Sequence, residues 1–116
     1  MQLEHRDHED RPWGSFDRFT LNEQTTIKIL IARPNQTLSL QYHNHRSEFW
    51  RVLKGSGTVV IDETEQPAKE GDEFFIPQGA HHRIKTGNEE IQWLEIASGE
   101  FDEEDIVRLE DSYGRT

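Results

Sequence analysis

Two histidines separated by one residue, His43 and His45, are followed by a carboxylate at Glu48 and by a further histidine at His82. Imidazole and carboxylate are the borderline donors that hold divalent transition metals. On an extended strand, residues i and i+2 project from the same face. His43 and His45 are therefore predicted to chelate one ion side by side. Glu48 lies three residues beyond His45, and on an unbroken strand it would face the other way. A turn is therefore predicted at Arg46-Ser47, with a new strand starting at Glu48 and sharing its inward face with Trp50 and Val52. Pro77 and Gly79 make a turn that launches His82 into another strand, with Ile84 and Thr86 on its face and His81 pointing away. The predicted metal ligands are His43, His45, Glu48 and His82. The predicted cofactor is one divalent transition metal ion, and zinc, manganese, iron, nickel and copper all suit such donors.

These side chains need short, paired strands to bring them together. Candidate strands are Ser15–Leu21, Thr25–Arg33, Thr37–His43, Glu48–Lys54, Thr58–Asp62, Glu73–Ile76, His82–Thr86 and Ile91–Ala97. Turn signals separate them at Pro34-Asn35, Gly55-Ser56-Gly57, Glu70-Gly71-Asp72, Pro77-Gln78-Gly79 and Gly87-Asn88. Short strands at this spacing predict an all-β sandwich or barrel. Residues 1–11 read as a flexible polar tail, in which His5 and His8 are solvated, and residues 12–116 as a single domain. Asp102–Asp111 could form one short helix, because its acidic first turn suits the positive end of the helix dipole.

Composition narrows the partners. The chain has 116 residues, with 13 basic and 23 acidic side chains, a net charge of 13 − 23 = −10. Such a field repels a phosphate backbone, so nucleic acid is not expected as a partner. There is no cysteine, which removes disulfides and thiolate metal sites from consideration. No stretch has the length and apolarity of a membrane span or a signal-peptide core. A soluble, cytoplasmic protein with no membrane partner is the expectation. The segment Glu48–Lys54 carries apolar residues on both faces, Trp50 and Val52 on one, Phe49 and Leu53 on the other. A strand apolar on both sides is covered on both sides, which predicts that another chain, as in a homodimer, or the terminal segments cover the outer face.

His43-Asn44-His45, Glu48 and Gly55, followed by Gly71, Pro77, Gly79 and His82, resemble the two motifs of the cupin superfamily, whose fold is a double-stranded β-helix or jelly-roll barrel. The spacer before Glu48 is one residue shorter than the usual pattern. Further segments, Arg11-Pro12-Trp13-Gly14, Gln41-Tyr42-His43-Asn44-His45-Arg46-Ser47-Glu48, Glu104-Asp105-Ile106-Val107-Arg108 and Tyr113-Gly114-Arg115, look in that order like the C-terminal cupin domain of type II phosphomannose isomerases. Phe49 stands where that family's pattern has a histidine. The resemblance implies a metal-dependent aldose–ketose isomerase that interconverts mannose 6-phosphate and fructose 6-phosphate. A metal would polarise the sugar oxygens and stabilise charge developing on an enediol.

A sugar phosphate partner needs a cationic fork, for which arginine is suited. Arg46 directly follows the second histidine and is predicted at the rim of the metal pocket, as a catalytic and phosphate-gripping residue. Lys28, a polar side chain within the apolar run Ile27–Ala32, is a second catalytic candidate. Arg108 and Arg115 are further candidates for the phosphate. Gln41 shares the parity of His43 and is predicted to bind a sugar hydroxyl. Two other readings of the same residues stay open: a sugar-binding or regulatory cupin without turnover, and a cupin dioxygenase.

Overall fold

Alternating apolar and polar residues separated by glycine and proline turns produce strands throughout the computed structural model, which describes residues 3–115. In chain order these are β1 (Asp7–Arg11), β2 (Gly14–Arg18), β3 (Thr25–Ala32), β4 (Leu40–Tyr42), β5 (Arg46–Ile61), β6 (Thr64–Lys69), β7 (Glu73–Ile76), β8 (His82–Lys85), β9 (Ile91–Gly99) and β10 (Val107–Glu110). Among the described residues there is no helix, and so none long and apolar enough to cross a membrane. β1 and β2 form an antiparallel hairpin of their own. The other strands form an antiparallel sheet in the order β10-β4-β8-β5-β9-β3, with β6 and β7 also pairing to β5. This is the all-β barrel that the strand pattern predicts.

The 16-residue β5 is its spine. Its first half pairs with β7 and β9, and its second half with β6 and β8. Glu48, Trp50 and Val52 alternate into the barrel. There they join Val59, Phe74, Ile76, Ile84, Ile91 and Trp93, all buried. The bend between the two halves passes Gly55, whose φ is +83° and where an added Cβ would lie 1.9 Å from the Glu90 carbonyl oxygen. Only glycine tolerates both that backbone angle and that approach. The segment Gly55-Ser56-Gly57, predicted as a turn, is thus a bend inside one continuous strand.

Two other expectations change, and one choice left open is decided. Residues 7–11, predicted within a loose tail, pair with β2 residue for residue from Asp7↔Arg18 to Arg11↔Gly14. The short helix predicted at Asp102–Asp111 is absent. An Asp102–Asp105 turn leads instead into β10, which pairs with β4. Tertiary contacts of Asp105, described below, override the acidic helix-start signal. Of the two ways given for covering the outer face of β5, another chain or the terminal segments, the N-terminal part of the chain itself does so at Phe49. The Phe19 ring centroid lies 5.5 Å from that of Phe49, and Arg6, which pairs with Glu73 at 3.1 Å, sits over both rings. The exposed apolar row lies elsewhere, at Ile27, Ile29 and Ile31 on β3, which are 58–63% exposed.

Candidate metal centre

β4, β5 and β8 lie side by side, and Gln41 of β4 stands directly opposite His82 of β8. Beyond Tyr42 the chain leaves the sheet, then re-enters it at Arg46. The departure has a cause about sixty residues away: the Asp105 carboxylate accepts hydrogen bonds from the backbone N–H groups of Asn44 (2.8 Å) and His45 (2.9 Å). The irregular segment turns His43 inward and leaves His45 exposed.

His43, Glu48 and His82 each offer a ligand atom within 4.8 Å of the others, and all three are buried. His43 Nε2 is 3.2 Å from Glu48 Oε2, and His82 Nε2 is 3.8 Å from Glu48 Oε1. Both rings are oriented by carbonyl oxygens. His43 Nδ1 donates to the Asp105 carbonyl at 2.7 Å, and His82 Nδ1 to that of Ala80 at 3.0 Å. A carbonyl only accepts, so each Nδ1 carries the proton and each Nε2 presents its lone pair to the centre. His82 Nε2 is buried without a hydrogen-bond partner, a costly state for a polar atom unless something binds it. Two imidazole lone pairs and a carboxylate fit a divalent transition metal. His43, Glu48 and His82 would hold it, and the ion would supply Lewis acidity to a bound oxygen.

The centre is strongly polarised. Burial opposes ionisation of Glu48, but its contacts with His43, His82 and Glu95 bring its carboxyl down to about 2. Trp50 Nε1 also donates to Glu48 Oε1 at 3.0 Å. Burial lowers His82, with the Glu48 charge opposing. Glu95, on β9 opposite Trp50, is pushed up to about 8 by burial and by the Glu48 charge. At neutral pH the two acids thus differ, with Glu48 ionised and Glu95 protonated.

Of the expected site residues, His43, Glu48 and His82 come together, and His45 does not. Its predicted place rested on His43 and His45 sharing one straight strand, and the chain is irregular there. Arg46 does not lie at a rim. As the first residue of β5 it shares the parity of Glu48, is 8% exposed, and donates to Glu48 Oε2 from Nε at 3.1 Å. Its Nη2 is 3.3 Å from His43 Nε2, its Nη1 donates to the Asp102 carbonyl at 3.2 Å, and its guanidinium stacks 4.4 Å from the Phe101 ring centroid. Gln41 lies beside the centre, its amide nitrogen 3.5 Å from His43 Nε2 and its oxygen accepting from Ser39 at 2.7 Å. Lys28 stands opposite Glu95 on β9, pairs with Glu103 at 3.3 Å and lies 4.4 Å from the centroid of the Phe101 ring that Arg46 also contacts. Arg108 lies on β10 opposite Gln41, with a buried Nε that lacks a partner. Arg115 reaches the mouth of the site but is tied to Asp111 at 2.8 Å.

Sequence reasoning missed Glu95, Asp105 and the Trp50 indole. Glu95 had a readable signal, since it alternates with Trp93 and Ala97 in an apolar run. Asp105 had none. A cavity of about 200 Å³ opens beside the centre, lined by Ser39, Gln41, Trp50, His82, Arg83 and Glu95 among others. A larger hollow of about 630 Å³ lies outside the barrel, against Arg6, Phe49 and Glu73. Arg6 and Glu73 there are paired with each other, whereas the smaller cavity is lined by two residues with unpartnered buried nitrogens, His82 Nε2 and Trp93 Nε1.

The profile of the family described as "Mannose-6-phosphate isomerase C-terminal" matches residues 2–111. The chain belongs to that family. Its barrel is also that of solved cupins. It resembles a cupin protein from Bacteroides fragilis with a TM-score of 0.61 at 20% identity, covering 68% of each chain. The capsular polysaccharide assembling protein CapF of Staphylococcus aureus gives 0.67 at 20% identity, over 90% of this chain and 34% of that one. Both likenesses concern the fold.

Sequence relatives of this chain are longer proteins. The xanthan biosynthesis protein XanB of Xanthomonas campestris pv. campestris is 40% identical over 108 residues, 91% of this chain and 23% of XanB. The mannose-1-phosphate guanylyltransferase of Escherichia coli is 36% identical over 116 residues, 97% of this chain and 24% of that protein. The alginate biosynthesis protein AlgA of Pseudomonas aeruginosa is 38% identical, over 91% of this chain and 22% of AlgA. The chain thus spans about a quarter of the length of these relatives. They overturn the expectation of a mannose 6-phosphate–fructose 6-phosphate isomerase. Their names are those of a guanylyltransferase and of polysaccharide biosynthesis proteins, and what they share with this chain is one domain.

Proposed function

We propose that this domain is a metal-binding cupin that takes a phosphorylated hexose in the making of activated mannose. The observation that carries the reading is the convergence of the His43 Nε2, Glu48 and His82 Nε2 donors beside a cavity lined by Gln41. The ion would be a divalent transition metal, zinc, manganese, iron, nickel or copper, held by His43, Glu48 and His82. The phosphorylated hexose follows from the family description and from the mannose 1-phosphate in a relative's name. Arg83 and Arg115 are the cations that line the cavity, Arg46 lies in the adjoining centre on Glu48, and Gln41 would meet a sugar hydroxyl. A cytoplasmic setting goes with this reading, as does a single cupin unit that includes the β1–β2 hairpin. The test is calorimetric titration of the zinc-loaded protein with mannose 1-phosphate, mannose 6-phosphate and mannose. Binding of a phosphate ester well above that of mannose is expected. Zinc uptake without binding of either ester would overturn the substrate class and leave the metal centre standing.

A homodimer belongs to the same proposal, on a surface other than the one the sequence suggested. β3 is the last strand in its sheet, and edge strands invite pairing. Antiparallel pairing of two copies about Ile29 would set Ile27 of one against Ile31 of the other, and Lys28 against Leu30, so that no like charges meet. Light scattering should show a dimer for the native chain and a monomer for Ile29→Lys. A native monomer at high concentration would refute it.

A further inference from the structure

Arg46 places a cation inside the metal centre. Its Nε donates to Glu48 Oε2 at 3.1 Å, and its Nη2 lies 3.3 Å from His43 Nε2. The protonation of His43 follows from its neighbours. Nδ1 faces the Asp105 carbonyl at 2.7 Å and carries a proton. Nε2 faces a guanidinium that can only donate, so it must accept. A proton on Nε2 would satisfy Glu48 but would oppose the arginine donor at the same nitrogen. Neutral imidazole has one lone pair at that atom, and a ring nitrogen that accepts from arginine cannot at the same time ligate a metal.

We infer that Arg46 is a built-in competitor for the metal, holding the His43 lone pair and one Glu48 oxygen until an ion displaces it. The inference rests on the metal-binding reading of the site. The guanidinium has somewhere to go. It already contacts the Asp102 carbonyl at 3.2 Å and lies 4.4 Å from the Phe101 ring centroid, so a shift onto these partners would free both ligand atoms without bringing Arg46 into water. The consequence is a site whose affinity for metal is lower than its donors alone would give, and whose release of metal leaves no unpaired carboxylate behind.

The test is zinc affinity, measured by competition with a chromophoric chelator, for the full chain and for Arg46→Met. A second variant, Arg46→Leu, guards against a folding defect particular to one side chain. The variants should bind zinc about tenfold more tightly or better, because a charge-assisted donor no longer has to be displaced. In the unsubstituted chain, the Arg46 Nε–H signal in a nitrogen–proton NMR spectrum should be slow to exchange without zinc. It should shift and lose that protection on adding one equivalent. An arginine acting only through its charge would keep its protection. Equal or weaker zinc binding in folded variants, or an Nε–H signal unmoved by bound zinc, would overturn the inference alone. Absence of zinc binding in the native chain and both variants would overturn the metal centre with it.

Discussion

The N-terminal hairpin and the barrel interior both gather histidine and carboxylates, and only one of them makes a centre. In the hairpin, His8 lies between Asp17, 3.0 Å from Nδ1, and Asp10, 3.1 Å from Nε2, with about half of its side chain exposed. In the barrel, His43 and His82 flank Glu48, and all three side chains are 2% exposed. Hydrogen bonds to the Asp17 and Asp10 carboxylates raise the His8 pKa, whereas burial lowers that of His82. His8 spends both ring nitrogens on carboxylates that sit on opposite sides of it. In the barrel, carbonyl oxygens consume the outer nitrogens, and two lone pairs point at one carboxylate. Residue type is therefore a poor guide to a site. Burial, and what holds the second nitrogen, decide whether a histidine can serve as a ligand.

The largest effect should separate the two regions by stability. Glu48→Ala leaves the Arg46 guanidinium buried without its carboxylate, and breaking a buried pair in this way costs about 3–5 kcal/mol. Asp17→Ala at the exposed hairpin should change little, because surface pairs contribute little. Urea denaturation of the metal-free proteins would measure both. Adding Arg46→Met to Glu48→Ala should restore much of the loss, and a loss equal to the sum of the single changes would break the comparison.

Metal affinity comes next. His82→Ala should weaken zinc binding by about 100-fold or more, since a direct ligand matters at least as much as the outer partners that orient one. His8→Ala and His45→Ala should leave affinity unchanged. A large loss for His45→Ala would restore it as a ligand. A smaller effect is expected for Asp105→Ala, which releases the backbone at Asn44 and His45. Loss of the constraint that aims His43 should weaken zinc binding by about tenfold, as for other groups that orient ligands.

The smallest effects are in pH. His8 has a raised folded pKa, so its contribution is fully present below the unfolded value near 6.5 and is lost as pH rises through the folded value. His82 has a lowered folded pKa, so its contribution is present above 6.5 and is lost as pH falls toward the folded value. In metal-free protein, the His8→Gln minus native difference in urea midpoint should shrink on going from about pH 5 to pH 8. The native chain should lose stability on the acid side, less so in His82→Gln. The same pH trend in both variants would show that burial does not separate the two histidines.

The sequence by itself determined the strands that carry local patterns, and the ligands whose parity could be read within one strand. Glu73–Ile76 is β7 as predicted, and the predicted strand Thr25–Arg33 ends one residue beyond β3. Glu48 and His82 fall inward with Trp50 and Ile84 as the period of two requires. The motif resemblance led to the family through residues close together in the chain. Tertiary structure alone decided that His45 turns outward and that Arg46 turns inward. The physical reason is that strand parity holds only while the strand stays regular. Regularity after Tyr42 ends where Asp105, distant in sequence, captures the N–H groups of Asn44 and His45. That capture marks where β5 begins, and the side chains from Arg46 to Val52 alternate from that start.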